Sequence, residues 1–126
     1  MDETKKAWVA GLFDGEGCVL TRWPKKREAT LEIKMVHKPS LERLISVVGG
    51  NLTRRIKNGG FGKRTQWRWR VSDAQAVAVG KMMLPYLCEK KEQVEALIAF
   101  KEATDNESRT KFAGMVKSLK HIEFDW

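Results

Sequence analysis

Trp8-Val9-Ala10-Gly11-Leu12-Phe13-Asp14-Gly15-Glu16-Gly17 joins a helical run to a run of β-prone residues, and the way one gives place to the other orders everything downstream. Asp2 or Thr4 can cap the run that precedes it. The spacing therefore predicts a first helix ending near Phe13, where Gly15 and Gly17 break it. Beyond the break, Cys18 to Trp23 is β-prone and Pro24-Lys25-Lys26-Arg27 reads as a turn. Ala29 to Val36 then alternates Leu31, Ile33 and Met35 with Thr30, Glu32 and Lys34, which predicts a hairpin with one apolar and one polar face.

The same unit follows again. Pro39 and Ser40 open a helix in which Leu41, Leu44, Ile45 and Val48 fall at i, i+3, i+4 and i+7, and Gly49-Gly50 ends it. A second hairpin sets Leu52 and Ile56 against Thr53, Arg55 and Lys57, turns through Asn58-Gly59-Gly60-Phe61-Gly62, and returns with Trp67, Trp69 and Val71 alternating with Gln66, Arg68 and Arg70. In this register both tryptophans belong to the core. Asp73 is a natural N-cap for a helix to about Met83, closed by Leu84-Pro85. Glu89 to Ala103 reads as a further helix, and a last one covers about 109–120, where Phe112, Met115, Val116 and Leu119 repeat the helical spacing. The fold class is α+β: one domain over 1–126, with its core at about 4–104 and four antiparallel strands backed by helices.

A length of 126 residues leaves room for one core and no regulatory module. Cys18, Cys88, His37 and His121 have no familiar disulfide or zinc spacing. No apolar run is long enough to span a bilayer, and the first residues lack the apolar stretch of a secretory signal, so no membrane partner is expected. The formal charge of +8 is unevenly placed. Between Arg22 and Arg70 fourteen Lys and Arg, eight of them Arg, face only Glu28, Glu32 and Glu42. One face of the domain is thus suited to a polyanion. Its candidate contacts are Arg22, Lys25, Lys26, Arg27, Thr30, Glu32, Lys34, Thr53, Arg55, Lys57, Gln66, Arg68 and Arg70. Strands of this kind can lie in the DNA major groove, alternate side chains meeting base edges and turn residues meeting phosphates. An RNA-binding sheet would put aromatic platforms on this face instead.

The segment from Trp8 to Gly17, running into Cys18-Val19, resembles the signature of the LAGLIDADG homing endonucleases: apolar, Ala, Gly, two apolar, acid, small, acid, Gly. Gly-Asp-Gly-Glu-Gly alone could merely turn a chain or hold a structural ion, but here it sits between a capped helix and a basic hairpin. The resemblance implies the αββαββα fold from about Lys5 to Ala103, with extra C-terminal helices, and a metal-dependent, site-specific double-strand DNA endonuclease. It places the metal ligand at Glu16, where Asp is commoner, with the backbone carbonyl of Gly15 as a second ligand. Asp14 takes a structural part near the helix ends and the interface. His37, at the end of the second strand, falls at a polar position near the active-site water, and Lys90, counted from Pro85-Tyr86-Leu87, at the lysine that reaches the cleavage site; Lys91 is its neighbour.

Ala10 and Gly11 on one helix face permit a second helix to approach closely. The resemblance, with one signature here where the family's single-chain members have two, implies a homodimer with Ala10, Gly11 and Asp14 at its interface, acting on a long pseudo-palindromic site and leaving short 3′ overhangs. Phe112-Ala113-Gly114-Met115 mimics the opening of a second copy, but no acids follow. Mg²⁺ is the implied cofactor, with Mn²⁺ substituting, Ca²⁺ binding without supporting cleavage, and no small-molecule cofactor. Intron or intein mobility, and a DNA-containing compartment such as a bacterial or phage-infected cytoplasm or an organelle matrix, go with that activity. The competing reading is an inactive relative that binds DNA as a regulator or acts as an RNA-splicing maturase; a structural ribosome-associated protein would explain the charge but not the signature.

Overall fold

The computed structural model describes residues 1–56 and 65–120. The chain runs α1 (Glu3–Glu16), β1 (Gly17–Thr21), β2 (Ala29–Met35), α2 (Lys38–Val48), β3 (Asn51–Ile56), β4 (Thr65–Ser72), α3 (Asp73–Met83), a 3-10 turn (Leu84–Tyr86), α4 (Lys91–Glu102) and α5 (Asn106–Leu119). This is the α+β order read from the sequence. Lys57 and the loop after it lie outside the described residues.

The sheet is antiparallel in the order β1-β2-β4-β3. The two hairpins therefore join through their second strands, and β2 and β4 become the central pair. Rungs across the sheet follow the period of two: Val19, Leu31 and Val71 line up on one face, while Cys18, Glu32, Arg70 and Asn51 line up on the other. The first face meets the helices. Val9 and Phe13 of α1, Leu41 and Leu44 of α2, Val79 and Met83 of α3, and Val94, Leu97 and Phe100 of α4 form one core with Val19, Leu31, Ile33, Trp69 and Val71.

Local chemistry explains the boundaries. Asp2 caps α1 through a 2.8 Å bond from the Lys5 N–H to its carboxylate. The helix continues three residues past Phe13, to Glu16. Gly15 does not break it, because one glycine costs an isolated turn only about 1 kcal/mol. The chain leaves the helix at Gly17, whose backbone is extended, and glycine suits that exit because a Cβ there would collide with the ring and carbonyl of Phe13. Gly49 and Gly50 adopt φ of 74° and 107°, a region that favours glycine. A Cβ on Gly50 would also meet the indole nitrogen of Trp69, which is fully buried and donates to the Gly49 carbonyl at 2.8 Å. The double glycine thus turns the chain and seats the largest core side chain.

Three expectations change. Ser72, not Asp73, is the N-cap of α3 and makes no side-chain cap bond. Asp73 has φ 53°, and its carboxylate instead accepts from the Ala29 N–H at 3.2 Å and pairs with Lys101 at 2.9 Å. Trp67 is only half-buried, its ring lying 4.4 Å from the Lys38 ammonium, because it pairs with Met35 at the end of β2 and packs at the margin of the core. Finally, α5 begins at Asn106, capped by Asp105, and packs on α4 and along β1. Trp23 fixes that corner, donating to Thr110 Oγ1 at 3.0 Å and meeting Phe100 edge to face.

Candidate nucleic-acid interface and acidic corner

The face of the sheet turned away from the helices carries Thr30, Glu32, Lys34, Thr53, Arg55, Gln66, Arg68 and Arg70 in one register. Thr53 and Arg55 are exposed, Gln66, Arg68 and Arg70 half-exposed, and Arg68 Nε donates to Thr53 Oγ1 at 3.3 Å. Asn51, exposed and on the same rung as Arg70, is a polar member the sequence reading passed over. Strand alternation was signal enough to find it. At the β1–β2 turn Lys25 and Lys26 are exposed, and Arg22 is exposed beside Glu28 at 3.6 Å.

Three residues assigned to this face do other work. Arg27 folds back onto the C-terminus of α4, its guanidinium donating to the carbonyls of Lys101 at 2.8 Å and Ala103 at 3.0 Å. Those carbonyls lack intrahelical donors, and the helix dipole favours a cation there. Thr30 is buried, with its hydroxyl 3.2 Å from that of Ser72 and 3.3 Å from Glu28. Glu32 is 2% exposed, although it belongs to the polar face. Arg70 donates to its Oε2 through Nη2 at 2.7 Å and Nε at 3.2 Å, and the Lys34 ammonium stands 3.3 Å from Oε1. A central strand flanked by long cationic side chains leaves its carboxylate little contact with water.

Burial raises the Glu32 pKa, but the hydrogen bonds and charges of Arg70 and Lys34 outweigh it and hold the carboxyl below its ordinary 4.5. A depressed carboxylate pKa means stabilisation present above that ordinary value and lost as the pH falls through the folded one. Glu32→Gln, the isostere of the protonated acid, is therefore expected to cost about 1–3 kcal/mol at neutral pH, less than a fully buried pair because Arg70 and Lys34 keep contact with water. Denaturant unfolding of both proteins across the acid range checks this: their stabilities should converge below about pH 4.5. A gap that stays constant on acidification would show that the charge of Glu32 is not what stabilises the sheet.

The C-terminal end of α1 forms a second locus. Glu16 is exposed, with no hydrogen-bond or ion-pair partner among the described residues. Gly15, also exposed, lies in the last turn, where a helix offers its carbonyls no donor. Asp14 works within its own chain: its carboxylate accepts the N–H groups of Cys88 at 2.8 Å and Lys90 at 3.0 Å, capping the approach to α4. Lys90 answers by donating its ammonium to the Asp14 carbonyl at 2.7 Å, which leaves two of its N–H bonds uncommitted to that carbonyl and fixes the charge two residues from Glu16. Lys91 is exposed at the first turn of α4.

His37 lies past the end of β2 and flanks α2, its Nδ1 2.7 Å from Ser40 Oγ. Because Gly17 pairs with Ile33, the residues after Ile33 run past the start of β1, at the same end of the sheet as Glu16. Among the described residues, no three His, Cys, Asp or Glu side chains gather closely enough to hold a metal ion.

The outward stripe of α1 differs from the expected one. Ala10 is fully buried in its own core and is not available to a partner. Ala7, Gly11 and Gly15 are exposed, and a Cβ on Gly11 or Gly15 would meet nothing within 4 Å. Ala10 and Gly11 are neighbours about 100° apart on a helix, so one turns inward when the other turns out. The spacing of four from Ala7 to Gly15 was the readable signal.

No protein-family model and no curated protein matches the chain. Solved structures do. The homing endonuclease I-CvuI, in complex with its target Sro1.3 in 2 mM Ca, aligns with TM-score 0.67 and 19% identity over 93% of this chain and 80% of that one. The same endonuclease with the I-CreI target C1221 in 2 mM Mg, its DNA not cleaved, aligns with TM-score 0.69 and 19% identity over 98% and 87%. The archaeal intron-encoded homing endonuclease I-Vdi141I, complexed with DNA, aligns with TM-score 0.69 and 12% identity over 100% and 89%. Over essentially its whole length, the chain has the LAGLIDADG homing-endonuclease fold.

Proposed function

We propose that the protein is a sequence-specific DNA endonuclease that reads duplex DNA with the sheet face of Thr53, Arg55, Gln66, Arg68 and Arg70 and cuts it at the corner of Glu16. The observation that carries this reading is the exposed Glu16 at the end of α1, unpaired among the described residues, beside a cationic sheet, in a fold shared with endonucleases solved on DNA. One carboxylate does not hold a divalent cation well, and hard cations such as Mg²⁺ take several oxygen ligands. The exposed small residues Ala7, Gly11 and Gly15 offer a surface on which a second copy of α1 can lie at close range. Such a homodimer brings two Glu16 side chains and two Gly15 carbonyls to one place.

Mg²⁺, or Mn²⁺ in its stead, would be held there and, when bound, polarises a phosphoryl oxygen and lowers the pKa of water. The chain's own groups do the rest. Glu16 supplies charge and oxygen ligands, while Lys90, clamped to the Asp14 carbonyl, directs its remaining N–H donors at charge that develops on the scissile phosphate. His37 offers a second ring nitrogen to water at the same end of the sheet. Lys25 and Lys26 at the turn meet phosphates and set register rather than sequence. A two-fold dimer reads a long, nearly palindromic site and cuts both strands, leaving short 3′ overhangs. The role belongs in a DNA-containing compartment and suits the mobility of an intron or intein; no described helix is long and apolar enough to cross a membrane.

Digesting a randomised duplex library with Mg²⁺, Mn²⁺ and Ca²⁺ in parallel and sequencing the ends tests all of this at once. One enriched, nearly symmetric cut site with Mg²⁺ and Mn²⁺, and retention without cutting in Ca²⁺, is the expected result. Retention without cutting under every metal would return the protein to the regulator or maturase class.

A further inference from the structure

The buried ion cluster in the middle of the cationic face deepens the reading just given and rests on it. Glu32 is almost wholly buried, and both of its oxygens are engaged, Oε2 by Arg70 and Oε1 by Lys34. Buried and already paired, it is poorly placed to accept a hydrogen bond from a base. A carboxylate kept at the centre of a DNA-facing surface would also repel phosphates, so its presence calls for another use.

The guanidinium geometry supplies one. A planar guanidinium has two edges that can make parallel donor pairs: Nε with Nη2, and Nη1 with Nη2. Glu32 takes the first on a single oxygen, at 3.2 and 2.7 Å. The second edge has no partner among the described residues, and the Arg70 side chain remains 28% exposed. Arg70 also stands on β4, an inner strand of the sheet, between Glu32 and Asn51, where side chains address base edges rather than the phosphates that turn residues meet.

We propose that Glu32 is a positioning residue for specificity: it holds Arg70 by one edge so that the other is presented, already ordered, to the O6 and N7 acceptors of a guanine in each half-site. Two parallel acceptors on one base edge are a guanine feature of the major groove; adenine would oppose an N6 donor to the same arginine. A free arginine could swivel toward either base or a phosphate and would lose rotamer freedom on binding, whereas a tethered one has already lost it.

Selecting bound duplexes from a randomised library, in Ca²⁺, with the wild type, Arg70→Lys and Glu32→Gln tests the assignment. The wild type is expected to favour guanine at one position per half-site by roughly 5- to 150-fold. Arg70→Lys keeps the charge but lacks the planar fork and should lose that preference. Glu32→Gln should lose it at the same position, with the preferences elsewhere unchanged. A thermal melt of each variant reports whether the domain stays folded. If Glu32→Gln does not fold, Glu32→Asp, which keeps the charge but draws the carboxylate back from Arg70 by one methylene, is the second variant and should weaken the preference at the same single position. The proposal is overturned if the folded Glu32 variant keeps the full guanine preference. It is equally overturned if the loss falls at a position Arg70→Lys leaves intact, or if all sequences weaken alike, as a purely structural or phosphate-directed role requires. A wild type that binds duplexes without any base preference overturns it as well, leaving DNA binding in place. Failure to bind any duplex would instead remove the nuclease reading on which it stands.

Discussion

Glu16→Gln should reduce cleavage by on the order of 10³-fold or more while leaving duplex binding nearly intact. Glutamine keeps the size of the side chain but removes the charge that would draw a divalent cation, and several kcal/mol of transition-state stabilisation goes with it, each ~1.4 kcal/mol being a factor of ten. The fold should not notice. Glu16 is exposed and has no partner among the described residues, so its loss leaves no buried group unsatisfied. Gel-shift affinity and cleavage rate measured on the same selected duplex separate the two effects. Unchanged cutting by the variant would refute Glu16 as the metal-binding acid.

Gly11→Leu is expected to divide the assembly and, with it, abolish cutting. A Cβ at position 11 meets nothing within 4 Å among the described residues, and Gly11 is exposed, so the monomer should melt as the wild type does. It would, however, stand between two α1 helices that need near-backbone contact. Sedimentation should therefore shift from dimer to monomer, and weak, salt-sensitive binding to any duplex should survive. Ala10→Leu provides the contrast: Ala10 is completely buried, so overpacking should cost about 1–3 kcal/mol of fold stability. A wild type that sediments as a stable monomer would end the shared-site scheme.

The contrast between those two adjacent residues shows what the sequence could and could not disclose. The period of two in Ala29–Met35 and Thr65–Ser72 is local information, and it placed Thr30, Glu32, Lys34, Gln66, Arg68 and Arg70 together on one face and Leu31, Ile33, Trp69 and Val71 on the other. The helical stripe of α2 and the glycines at 49 and 50 were equally plain, since each acts within a turn or two of itself. Depth was not legible. Glu32 and Lys34 alternate alike, yet only Glu32 is buried, because that depends on Arg70 reaching across from a strand 38 residues away. Arg27 reads as one more surface cation until the α4 carbonyls, 74 and 76 residues distant, come beside it. The acidic corner was legible as a list of residues from its signature, but not the clamp between Asp14 and Lys90, which no local pattern encodes.

That clamp has a bearing on how accurately a cutting centre could be built. Asp14 grips the main chain at 88 and 90, and Lys90 grips Asp14 in return, so the tip of the first helix and the lysine are tied to each other by three hydrogen bonds. In the proposed homodimer, the spacing between the acids and the spacing between the lysines would be set by the same act of docking. A small error in mating would displace both in concert instead of pulling one out of true with the other. Precision at the reacting phosphate would then be delegated to a single mechanical datum, the ridge of tiny residues on the first helix.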